Sequence, residues 1–203
     1  IRDLLKKTPK DGVLAVYSDY VALGTTSSLI ILPTDWGSEL ESPLVIRADN
    51  FDKLLKWYKC DKGSLGKPMP DRLVLRQGET VACISRVYSV QFNKESIDNL
   101  LARDWSDVTP VFDWEAMDDV SRIDAQLEFN NTNDGGEVVA FTKDGSGSSQ
   151  ASLEHRVPMP FRINYTDVAW LPKLNEPIKV KQSEHVMRFD VGGFSVIKAI
   201  ELL

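Results

Sequence analysis

The chain lays out one sequence plan twice, and that duplication limits its folding more than any single motif does. The first copy runs Asp11-Gly-Val-Leu-Ala-Val-Tyr17, then Pro43-Leu-Val-Ile-Arg-Ala-Asp-Asn-Phe-Asp-Lys-Leu-Leu-Lys56, then Leu73-Val-Leu-Arg-Gln-Gly-Glu-Thr-Val81. The second runs Gly136-Glu-Val-Val-Ala-Phe141, then Pro160-Phe-Arg-Ile-Asn-Tyr-Thr-Asp-Val-Ala-Trp-Leu-Pro-Lys173, then Ile178-Lys-Val-Lys-Gln-Ser-Glu-His-Val186. Each reads as a hairpin, a short strand entering a helix, and another hairpin. The last pair aligns without a gap: Leu73, Leu75, Gln77, Glu79 and Val81 stand against Ile178, Val180, Gln182, Glu184 and Val186. A period of about 105–120 residues is too long for a solenoid repeat, so each copy is expected to be a small domain.

Local patterning fills in the plan. Ile1–Thr8 reads as the tail of a helix, with Arg2, Lys6 and Lys10 along one side, stopped by Pro9. Val13–Tyr17 and Val21–Leu32 alternate as strands. A helix is expected from Phe51 to about Lys59, capped by Asp49 or Asn50. Its apolar stripe is Phe51, Leu54, Leu55 and Tyr58, with Lys53, Lys56 and Lys59 on the opposite side. Arg72–Arg76 and Thr80–Phe92 read as strands, and Ser96–Ala102 as a short helix. Beyond a connector come an acidic helix at Trp114–Ile123 and strands near Ala125–Phe129, Glu137–Phe141, Gln150–Val157 and Phe161–Asn164. A second helix, Thr166–Leu174, is disturbed by Pro172, and strands at Ile178–Lys181, His185–Asp190 and Phe194–Leu202 end the chain. Two amphipathic helices are expected per copy.

Composition excludes several classes. Apolar residues make up 42% and charged residues 27%, ordinary for a soluble globular protein. No apolar run approaches the roughly 20 residues that span a bilayer, so no membrane partner is expected. Two cysteines, Cys60 and Cys83, make a disulfide scaffold improbable and point to a cytoplasmic chain with free thiols. The opening residues show no signal-peptide layout, and they begin as if inside a helix without an initiator Met, which implies residues upstream of Ile1.

Catalytic signals are thin. His155 and His185 are the only histidines; each sits in an expected strand, outside any cluster at metal-ligand spacing, so no metal and no cofactor is expected. Gly145-Ser-Gly-Ser-Ser has neither the preceding apolar strand nor the following helix of a phosphate cradle and reads as a hairpin tip. Gln126-Leu-Glu-Phe129 is explained by core alternation. The chain is not expected to be an enzyme. An enzyme working through scattered carboxylates is the weakest of the functional classes.

Charge is more informative. The net charge is −6, yet residues 1–94 carry 14 Lys/Arg against 11 Asp/Glu, a net +3, and residues 95–203 carry 10 against 19, a net −9. Most lysine stripes are simply solvated helix faces. Two such stripes in one copy of an acidic duplicated protein favour a polyanion, because lysines on one face neutralise phosphates without reading bases.

The order of helix, hairpin, edge strand, short strand, second helix and final hairpin resembles one domain of the ring-shaped DNA sliding clamps. Asp11-Gly-Val-Leu-Ala-Val-Tyr-Ser-Asp-Tyr-Val-Ala-Leu23 is similar to the first hairpin of such domains. Pro160–Leu171, leading to Ile178-Lys-Val-Lys, resembles the second half. The resemblance implies an α+β fold of two tandem clamp-like domains, each with antiparallel sheets outside and two helices on one face. Residues 1–94 would form the first domain, which lacks the strand that should precede its first helix. Residues 95–112 would form the connector and residues 113–203 the second domain.

In function, the resemblance implies a polymerase processivity factor without chemistry of its own. It would encircle duplex DNA non-specifically and tether a replicative DNA polymerase, with a clamp loader as a further partner. Rings of this family have six domains, so two-domain chains would form a homotrimer in preference to a dimer; the divergence suits a phage or viral origin. The DNA-facing residues would be Arg2, Lys6, Lys7 and Lys10 on the first helix and Lys53, Lys56 and Lys59 on the second. Arg122 and Lys173 are the main bases on the helices of the second copy, where acids around Trp114–Asp119 weaken the bore. Partner peptides would dock near the connector Asn93–Asp113 and the apolar tail Ile200, Leu202 and Leu203. The alternative is a clamp-like protein-binding module that never encircles DNA.

Overall fold

The computed structural model describes residues 12–24, 28–34, 44–58, 64–65, 72–77, 79–85 and 93–203, and the chain divides into two units, Ile1–Arg103 and Asp104–Leu203. In the first unit, β1 (Val13–Val16) lies between β2 (Tyr20–Gly24) and β4 (Leu44–Arg47), antiparallel to both. With β3 (Ser28–Pro33) the order is β4-β1-β2-β3. Helix α1 (Ala48–Tyr58) follows β4 directly. Strands β5 (Ser64–Leu65), β6 (Arg72–Gln77) and β7 (Thr80–Ser85) form a second sheet, and α2 (Lys94–Leu101) ends the unit.

The second unit begins with β8 (Ser106–Asp107), a 3-10 turn at Thr109–Val111 and α3 (Trp114–Val120). Strands β9 (Gln126–Asn131), β10 (Gly136–Phe141), β11 (Ser148–Leu153) and β12 (Phe161–Asn164) come next. After two 3-10 turns come β13 (Ile178–Ser183), β14 (Val186–Val191), β15 (Phe194–Ala199) and β16 (Glu201–Leu202). One sheet has the order β11-β10-β9-β12-β16, so its β12-β9-β10-β11 repeats β4-β1-β2-β3 strand for strand. The hairpin β13-β14 is the counterpart of β6-β7, and β8 and β15 flank it. The α+β class and the duplication are thus both present as topology.

The core of the second unit follows from alternation along its strands. Leu127 and Phe129 on β9 and Phe161 and Ile163 on β12 are opposed in register and buried. The rings of Phe129 and Phe161 stack with centroids 4.5 Å apart, and Phe112 lies over both. Phe189 meets Phe112 edge-on, and Met117 and Val120 of α3 are buried as well. In the first unit, β2 is buried along its whole length, so its apolar run Val21-Ala-Leu23 is enclosed on both faces where simple alternation was expected.

Three further details depart from the sequence reading. Helix α1 starts at Ala48, one to two residues before the expected cap, so Asp49 lies in its first turn and bonds side chains there. Thr166–Leu174 is not a continuous α-helix but two 3-10 turns, Tyr165–Asp167 and Pro172–Leu174. Pro172 has no N–H to give to the Val168 carbonyl, so Leu171, Leu174 and Asn175 bond three residues back, and Asn175 leaves the segment at φ 55°. The gap-free match also slips by one residue: Gln77 faces Thr80 in the first hairpin, whereas Ser183 faces Val186 in the second, with Glu184 at φ 44°. The next turn, between β14 and β15, needs left-handed backbone twice and has Gly192 and Gly193 at φ 50° and 94°.

Candidate nucleic-acid and partner surfaces

Of the expected DNA-facing lysines in the first unit, Lys53 is the one whose side chain is described. It is 72% exposed and reaches back one helical turn, where its Nζ donates to Asp49 Oδ2 at 3.2 Å. Arg47, at the last position of β4 and 54% exposed, donates through Nε to the other oxygen of Asp49 at 3.2 Å. Burial would raise the Asp49 carboxyl, but the hydrogen bonds and charges of Lys53 and Arg47 outweigh it and hold the group below its ordinary value. The strand-to-helix junction therefore presents two cations around one carboxylate, a net positive group on the surface. Arg47 was not singled out from sequence because it sits outside the helical stripe; its signal was its place at the strand end immediately before the helix. Lys56 lies on α1 beyond the described side chains, and Arg2, Lys6, Lys7, Lys10 and Lys59 lie outside the described residues.

The second unit is arranged differently. Asp113 caps α3, accepting from the N–H groups of Glu115 and Ala116 at 3.1 and 3.0 Å. Glu115, Asp118 and Asp119 are exposed, and Arg122 pairs with Asp119 at 2.8 Å. Lys173 is exposed on the Pro172–Leu174 turn. Much of the positive charge expected from Arg122, two residues past the end of α3, is thus answered by Asp119 in its last turn, and the α3 surface is acidic.

At the C-terminus, the three apolar residues have three different placements. Ile200 is buried, and its N–H bonds the His185 carbonyl. Leu202 is half-buried and pairs with Phe161 as part of β16. Leu203 is 49% exposed. Arg162 ties this tail down, bonding Glu201 Oε2 at 2.8 Å while also pairing with Glu128 on β9.

No protein-family model matches the sequence, and no curated protein matches it. Solved structures do match. The β subunit of DNA polymerase III from Borrelia burgdorferi superposes with a TM-score of 0.69 at 13% identity, over 98% of this chain and 56% of that one. This is the DNA sliding-clamp fold. The clamp of Pseudomonas aeruginosa gives 0.66 at 14% identity over 100% of this chain and 63% of its own. The Helicobacter pylori β clamp, solved with a DNA ligase peptide bound, gives 0.65 at 11% identity over 98% and 63%. The chain spans 56% to 63% of the length of these clamps.

The remaining chemical candidates fit into the clamp fold as structural parts. Leu127 and Phe129 of the Gln126–Phe129 stretch are fully buried in β9, and residues 142–147 connect β10 to β11 as a hairpin tip. Asp144 within that tip bonds Thr142 and Ser146 side chains and the Ser146 N–H, which hold its carboxyl down at about 2. His155, His185 and Cys83 are exposed. Among the described residues, no group of three His, Cys, Asp or Glu side chains could hold a metal ion, and no helix is long and apolar enough to cross a membrane.

Proposed function

We propose that the chain is a DNA sliding clamp that encircles duplex DNA and tethers a replicative polymerase. The observation that carries this reading is the clamp fold extending over 98% to 100% of the chain, as a duplicated unit with the same strand order in both copies. A ring holds DNA by closure, so its phosphate contacts need only be weak and non-specific; the Arg47–Asp49–Lys53 group suits such contact. The proposed DNA-facing set is Lys53 with Arg47, Lys56 and Lys59, joined by Arg2, Lys6, Lys7 and Lys10, with Lys173 the main contribution of the second copy.

Retention on DNA of different topology tests the reading. A clamp loaded on nicked circular DNA stays bound through gel filtration in high salt, and cutting the circle once releases it. Equal retention on the circular and the linear form would remove encirclement from the proposal. The second reading, a clamp-like module that binds proteins without encircling DNA, is favoured by one observation: the exposed acids of α3 and the Arg122–Asp119 pair. It predicts no topological retention on either DNA.

For the partner surface we propose the tail, with Leu203 as its exposed apolar contact. The Helicobacter pylori clamp was solved with a DNA ligase peptide, which supports a peptide of an enzyme acting on DNA as the class of partner. Leu203→Ala should lower polymerase stimulation and leave the fold intact, since nearly half of that side chain faces solvent.

A further inference from the structure

Helix α2 has limited apolar anchorage of its own: Ile97 is its single buried residue. Its first turn is held by charge. The Lys94 ammonium donates to Asp98 Oδ2 at 2.9 Å, one turn along the same helix, and to Asp19 Oδ2 at 3.1 Å in the turn between β1 and β2. It also lies 5.0 Å from the centroid of the Tyr20 ring and 5.8 Å from that of Tyr17. The two rings are buried and 4.8 Å apart, and the Tyr20 hydroxyl donates to Asp98 Oδ1 at 3.0 Å. One cation therefore sits between two carboxylates on different elements, with aromatic faces beneath it. Without that cation, Asp19 and Asp98 would repel each other across the contact.

We propose that Lys94 is a charge-keyed pin that seats α2 on the β1–β2 hairpin, making α2 a releasable element at the end of the first unit. The pin is built of partly exposed ion pairs and a cation–π contact, each modest alone and all dependent on the same ammonium. Neutralising or screening that charge should therefore free the helix, while the sheets, held by buried apolar side chains such as Leu14, Val21 and Ile46, stay folded. The segment that leads out of the first unit would then have two states, seated and free.

Hydrogen–deuterium exchange on the full chain tests this. Lys94→Gln should speed exchange of the α2 amides by about tenfold, and the strands β9, β12 and β14 should be unchanged. Lys94→Arg should keep α2 protected, since the charge is the key. Molar salt, where the screening length falls to about 3 Å, should speed α2 exchange in the wild type as well. Unchanged α2 exchange in both Lys94→Gln and high salt overturns the pin. So does an Arg variant that exchanges like the Gln variant, or a loss of protection spread evenly through β1, β2 and β4. If Lys94→Gln fails to fold, the salt series on the wild type decides alone.

Discussion

Asp49 shows how one carboxylate can organise two cations without cancelling them. Lys53 and Arg47 are each more than half exposed, so their pairing with Asp49 contributes little to folding and leaves a positive excess facing solvent. Lys53→Glu should therefore cost at most about 1 kcal/mol in thermal unfolding, including the new repulsion from Asp49 one turn away. The same variant should weaken DNA contact on every sequence tested and flatten its dependence on salt. Asp190 presents the opposite case, a carboxylate whose surroundings serve the fold. Burial would raise its pKa, but Ser195 and Arg188, each at 2.6 Å, and Lys181 at 3.1 Å outweigh burial and hold the group below its ordinary 3.8. A folded-state pKa below the unfolded one means that the stabilisation is complete above 3.8 and is lost as pH falls through the lower folded value. Asp190→Asn should accordingly lower the melting temperature at neutral pH, and the gap to the wild type should close in acid below that value. A gap independent of pH would show that the carboxylate charge is not what stabilises the site.

At the scale of elements, the aromatic stack across β9 and β12 carries the second unit. Phe161 is fully buried against Phe129, so Phe161→Ala should destabilise the protein by about 3–5 kcal/mol, read as a shift in denaturant midpoint. Such strands were legible in the sequence because Leu127 and Phe129, or Phe161 and Ile163, fall on one face at a period of two. The Gly192–Gly193 turn is equally direct, since both residues take backbone angles that suit glycine. What the sequence hid depends on competition between local preferences. Thr166–Leu174 has helical spacing, but the missing N–H of Pro172 broke it into 3-10 turns. Positive charge at Lys53 could be read, yet its partnership with Asp49 could not, because an aspartate at the start of a helix serves equally well as a cap or as the partner of a side chain one turn on. The apolar tail was legible as apolar only. That Ile200 turns inward while Leu203 turns outward depends on the pairing of β16 with β12, a contact made across 39 positions of sequence by Arg162 and Glu201.

The whole molecule poses a problem of edges. Among the described residues, β11 pairs with β10 alone, so one side of that strand leaves backbone groups unpaired. Its sequence, Ser148-Ser-Gln-Ala-Ser-Leu153, is uncharged and contains no proline, and so has neither of the two residue-level guards that keep an edge strand from pairing. An unguarded edge favours association with another strand, and we propose that the occupant is a different strand of a second copy. Such a contact joins unlike surfaces, and unlike contacts close into rings when the rotation per copy permits it. Two units per chain in a ring of six give three copies. Light scattering at micromolar concentration should therefore return three times the chain mass, with no growth into longer assemblies as concentration rises. A mass of two copies would bring together four units and would rule out the ring of six. A monomer throughout would leave the β11 edge without its proposed occupant and would remove the ring.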